Sequence, residues 1–139
     1  MDTSPLVIDE IEAGKAFIER MNAVAPVTAA LWLKTSEEGS RDLYVALEGY
    51  TQEMFKEMFS ETRRIVEEME DHYLSPLQVN IIGTSDPIAR AITEFYDRYP
   101  KRSPARYSGY SLNGVPFVDT YVYQRIRAKT QDPEVTKTT

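Results

Sequence analysis

Apolar positions recur along this chain in two rhythms, and the switches between them lay out its elements. Ile8, Ile11, Phe17, Ile18 and Met21 follow helical spacing over about 9–23, with Pro26 closing the run. Val27, Ala29, Leu31 and Leu33 then alternate with Thr28, Ala30, Trp32 and Lys34, which is strand periodicity. After the turn-forming run 36–40, Leu43, Val45 and Leu47 alternate in the same way, so the two segments predict a hairpin. Met54, Phe55, Met58, Phe59, Thr62, Ile65, Val66 and Met69 restore helical spacing over about 51–71. Leu77, Val79 and Ile81 predict a third strand, and Ile82 suggests cover on its second face. Ile88, Ala91, Ile92, Phe95, Tyr96 and Tyr99 predict a helix over about 87–99. Two strands, 105–112 and 115–126, flank Asn113-Gly114, whose residues tolerate the positive φ of a tight hairpin turn.

The predicted order is αββαβαββ. Two hairpins among five strands favour an α+β fold, a mainly antiparallel sheet with three helices packed on it, over a doubly wound one. One domain is expected over 1–126. Residues 127–139 are polar and aperiodic, and are expected to form a disordered tail. No apolar run reaches the roughly 18 residues of a membrane span. Residues 1–5 lack the parts of a signal peptide, so a cytoplasmic protein that does not engage membrane is the expectation.

Composition narrows the chemistry. The 139 residues hold no Cys, which removes thiol nucleophiles and Cys-based metal sites, and a single His, His72, which removes sites needing two imidazoles. The net charge of −6 disfavours nucleic acid as a partner. That charge is unevenly spread: residues 1–85 carry 16 acids and 7 bases, whereas residues 86–127 carry 4 acids and 7 bases. Six of the nine Tyr fall in 96–123, within the basic part.

Several features bear on function. Tyr96, Tyr99, Arg102, Arg106, Tyr107 and Tyr110 combine the residue types of protein interface hot spots, with core packing as the ordinary alternative. Gly83-Thr84-Ser85-Asp86-Pro87 runs from a strand into a helix, where Thr84 and Ser85 are candidates to hold an anion. The plainer role of that motif is a helix start, with Asp86 as cap and Pro87 in first position, and Asp86 would repel an anion. Asp119 is in phase with Phe117, Tyr121 and Tyr123; if these face inward it is a buried acid needing a donor such as Arg106. Asp42 and Glu48 share a strand face but stand about 20 Å apart, too far for one ion. His72 follows Glu70-Asp71 where a helix ends, a position the helix dipole favours. These residues imply no metal and no cofactor.

The segments Ala25–Leu33 leading to Leu43–Ala46, Ile82–Ile88 and Leu112–Tyr123, taken together, resemble small bacterial proteins of unknown function. In those an apolar hairpin comes first and an Asn-Gly hairpin ends the chain. The resemblance covers most of 9–125 and implies no activity, cofactor or catalytic residue.

The expected function is that of a non-enzymatic interaction or accessory protein, self-associating or bound to another protein through the Tyr/Arg stretch. The acidic helix over 51–71, with seven carboxylates against three bases, supplies a complement to that stretch. The alternative is a small enzyme or ligand-binding protein for a phosphorylated or nucleic-acid substrate. It would use Thr84, Ser85, Arg102, Arg106 and Asp119, and it requires a pocket joining the Gly83 turn to Asp119.

Overall fold

A computed structural model describes residues 8–36, 39–108, 111–112 and 114–126. Tyr110 and the tail expected over 127–139 lie outside the described residues. Three helices, α1 (Ile8–Val24), α2 (Phe55–Met69) and α3 (Pro87–Arg98), pack on a five-stranded sheet, an α+β fold. The sheet runs β3 (Val79–Gly83), β2 (Asp42–Leu47), β1 (Val27–Lys34), β7 (Asp119–Val122), β4 (Ala105–Ser108). All its pairings are antiparallel except β2 with β3, which α2 connects as a parallel crossover.

The sheet is covered on both faces. Phe17, Ile18 and Met21 of α1 and Met58, Ile65 and Val66 of α2 meet Trp32, Leu43, Val45 and Leu47 on one face. Ala89, Ile92, Phe95 and Tyr96 of α3 meet Ala29, Leu31, Leu33 and Val122 on the other. Hence nearly every residue of the central strand β1 is buried, including those the alternating pattern would leave to solvent. Lys34, at its end, is 4 % exposed.

Local chemistry fixes the element ends. Asp86 Oδ1 accepts from the Ile88 N–H at 2.8 Å and Pro87 occupies the first turn, so α3 starts where its cap dictates. The third strand begins later than the apolar pattern implies. Ser75 and Gln78 close a capping box around a one-turn 3-10 helix at Pro76–Gln78, which turns Leu77 out to 83 % exposure.

The C-terminal hairpin is divided where two unbroken strands were expected. Ser108 lies opposite Asp119, and Ser111 and Leu112 (β5, Ser111–Leu112) lie opposite Pro116 and Val115 (β6, Val115–Pro116) in the same register. Between them the Val118 N–H donates instead to the Lys34 carbonyl at 2.8 Å. This break changes the phase: Phe117 joins the α3-side core, whereas Tyr121 and Tyr123 face α1.

Candidate functional site

The Tyr/Arg stretch comes from the end of α3, the following turn and β4, and the fold parts its members. Tyr96 is 3 % exposed and its hydroxyl donates to the Tyr123 carbonyl at 2.7 Å. It is therefore a core residue of this chain and is not presented to a partner, contrary to the expectation of an interface role. The difference arises because α3 lies flat on the sheet, so one helical turn separates a buried Tyr96 from Tyr99, 39 % exposed. Tyr99, Arg102 and Tyr107 do meet. The Arg102 guanidinium lies 5.2 Å from the Tyr99 ring centre, and the Tyr107 hydroxyl donates to the Arg102 carbonyl at 2.5 Å. Phe95 backs the corner, with ring centres 5.5 Å from both Tyr99 and Tyr107.

Arg106 and Asp119 belong to the opposite, α1-facing side of the sheet. Arg106 is opposite Tyr121 in the β4–β7 register, and its Nε and Nη2 reach the two Asp119 oxygens at 3.1 and 2.9 Å. This two-pronged pair crosses the ladder diagonally and satisfies the half-buried carboxylate as a structural tie. Asp119 stands at the Lys34 end of β1, whereas Gly83 is level with Leu47, which pairs with Val27 at the other end. The Gly83 turn and Asp119 are thus at opposite ends of the sheet and on non-adjacent strands. The single pocket needed to unite Thr84, Ser85 and Asp119 is not formed.

The Gly83 turn instead opens into a crevice of about 490 Å³, lined by Tyr50, Thr51, Gln52, Phe55, Ile81, Ile82, Gly83, Ser85 and Asp86. Its position follows from topology. β2 and β3 are parallel neighbours, but α2 after β2 packs on one face and α3 after β3 packs on the other. Their loops diverge and leave a gap beyond the carboxyl ends of the strands, the usual place for ligands in such crossovers. A Cβ on Gly83 would stand 3.1 Å from the Tyr50 carbonyl oxygen, a close contact that the loop would have to relieve by a small shift. Burial pushes the Tyr50 phenol above its ordinary pKa. Burial, then the Asp42 and Asp86 charges, does the same to Tyr44 nearby on β2. Thr84 and Ser85 are exposed.

A further surface feature was not anticipated by the helical spacing of α2. Met58, Thr62, Ile65 and Val66 are buried, but Phe55 and Phe59 are 58 % and 37 % exposed, stacked on each other with ring centres 6.1 Å apart. Their i, i+4 spacing shows that they form one edge of the stripe, which the core does not reach. On the same helix Arg64 bridges Glu61 and Glu68, and Arg63 meets Glu67. His72 is exposed just beyond.

Among the described residues no three His, Asp or Glu side chains gather as metal ligands, and no helix is long and apolar enough to cross a membrane. No family model, curated protein or solved structure matches the chain.

Proposed function

We propose that this protein is a non-enzymatic interaction protein that associates with further copies of itself through the edges of its sheet. The observation behind this reading is that the two outermost strands carry complementary surroundings. β3 (Val-Asn-Ile-Ile-Gly) holds no charge and no Pro, the devices that ordinarily keep an edge strand from pairing. It lies beneath α2, whose segment 51–71 is acidic and whose Phe55–Phe59 pair is exposed. At the other margin, β4 (Ala-Arg-Tyr-Ser) adjoins Arg98, Lys101, Arg102 and the Tyr99 ring, with four bases and no acid over 98–108. Joining β3 of one copy to β4 of the next extends the ladder and sets acid against base. A β3-to-β3 pairing would oppose two acidic helices. Such head-to-tail contacts give rings where the rotation closes and chains where it does not.

Light scattering across a salt series tests this. At about 50 mM salt, where surface charges are weakly screened, the expected mass is a multiple of 15.9 kDa. It should fall toward the monomer near 1 M salt, where the screening length is about 3 Å. Arg102→Glu, which reverses a charge in the basic corner, should weaken association by about tenfold or more, a change of about 1.4 kcal/mol. A single 15.9 kDa species in concentrated low-salt solution would sink the reading.

A further inference from the structure

The crevice beyond β2 and β3 has a charge character that selects its ligand. Asp86 is the one charged side chain in its lining; no Lys, Arg or His contributes. Asp86 Oδ1 is occupied by the Ile88 N–H, while Oδ2 meets no donor among the described residues. The first free N–H of α3 is thereby satisfied from within the chain, and a phosphate or carboxylate arriving there would face an uncompensated negative charge. A cation meets the reverse situation. It would find a carboxylate oxygen, the aromatic residues Tyr50 and Phe55, and aliphatic contacts from Ile81 and Ile82. About 490 Å³ is within the range of sites that hold small molecules.

We infer that this crevice binds a small organic ammonium ion, a primary amine on a flat apolar body. Its N–H groups donate to Asp86 Oδ2, and its ring or chain lies against Phe55 and Ile81. The crevice borders the β3 edge used in self-association and shares Phe55, Ile81, Ile82 and Gly83 with it, so the titrations use the Arg102→Glu background, whose charge reversal lies at the other margin of the sheet and leaves the crevice untouched.

Calorimetric titration with phenethylammonium chloride, beside neutral 2-phenylethanol and inorganic phosphate, decides the matter. Saturable 1:1 binding of the ammonium is expected, with 2-phenylethanol at least about tenfold weaker for want of the charge. Asp86→Asn is the informative variant, because Asn caps a helix as well as Asp does and the fold is retained. It should weaken ammonium binding about tenfold or more while leaving thermal stability close to the parent. Phe55→Ala, at an exposed position, should weaken it by a similar factor. No saturable ammonium binding up to about 10 mM, an Asp86→Asn variant that binds as the parent does, or phosphate binding more tightly than the ammonium would each overturn the assignment.

Discussion

Gly14→Ala is expected to destabilise the protein by about 3 kcal/mol, although the same change inside an ordinary helix stabilises by about 1 kcal/mol. Gly14 lies in the middle of α1 against the sheet, and a Cβ there would stand 2.2 Å from the Tyr123 hydroxyl and 2.8 Å from Trp32 Nε1. Each atom is held by a hydrogen bond that a shift would break. Trp32 Nε1 donates to the Tyr123 hydroxyl at 2.8 Å, and that hydroxyl donates to the Ile11 carbonyl at 2.7 Å, in a region with Trp32 1 % and Tyr123 6 % exposed. Moving the phenol aside leaves a buried indole N–H without its acceptor, which costs about 1–3 kcal/mol. Forcing the helix outward instead opens the core around Phe17 and Met21, at a similar cost. Urea unfolding reads the result as a lower midpoint at unchanged slope.

The Gly14 effect also has an internal check. In a Tyr123→Phe background the oxygen nearest the new Cβ is gone, while Trp32 Nε1 at 2.8 Å and the ring carbon Cζ at 3.2 Å remain. The added cost of Gly14→Ala should then fall to about half, a coupling of about 1–2 kcal/mol between the sites. Strict additivity would show that the alanine acts through α1 alone, without touching the phenol.

How far the sequence disclosed this molecule depends on how local each determinant is. The start of α3 was legible because Asp86 and Pro87 act within one turn. The Arg106–Asp119 pair was within reach because the Asn-Gly signal in the sequence predicts one hairpin register, and β4–β7 and β5–β6 share one register. The separate fates of Tyr96 and Tyr99 were not, since both are aromatic residues on one short helix. What holds Tyr96 in the core is packing on the sheet, with its hydroxyl bonded to a carbonyl 27 residues further on. Phe117 was assigned to the face of Tyr121 by strict alternation, and one hydrogen bond from Val118 to Lys34 reversed it. The crevice was hidden for a related reason. Tyr50 and Phe55 meet Ser85 and Asp86 only once β2 and β3 lie side by side in parallel, with their helices on opposite faces. Tyr123 carries the largest share of long-range information. Its hydroxyl holds α1 on one face and its carbonyl holds α3 on the other, yet its strand periodicity marks it only as one more inward residue.

Above about pH 10 the fold is expected to lose stability steeply, through the same two tyrosines. Burial drives the phenol of Tyr96 well above its ordinary pKa, against smaller opposing pulls from the Ala30 backbone and then Arg125. Burial does the same to Tyr123, with the hydrogen bond from Trp32 opposing it and Tyr121, Glu12 and Glu10 adding to it. In the unfolded chain both phenols ionise near pH 10, whereas the folded protein keeps them neutral. The unfolded state therefore binds fewer protons once pH passes 10, and stability falls by about 1.4 kcal/mol per pH unit for each, or about 2.7 kcal/mol for the pair. Below pH 10 both states hold these protons and neither tyrosine contributes a slope. Two pH units of such a fall, about 5 kcal/mol, match the whole stability of a marginal domain, so the tyrosinate absorbance of Tyr96 and Tyr123, two of the nine phenols, should rise together with unfolding as one cooperative step. Tyr96→Phe removes one of these protons and should lessen the fall of unfolding free energy, read by urea, by about 1.4 kcal/mol per pH unit between about pH 10 and 11.5. If all nine phenols instead ionise while the helical circular dichroism holds, Tyr96 and Tyr123 are not sequestered, and the links from the sheet to α1 and α3 described above fail with them.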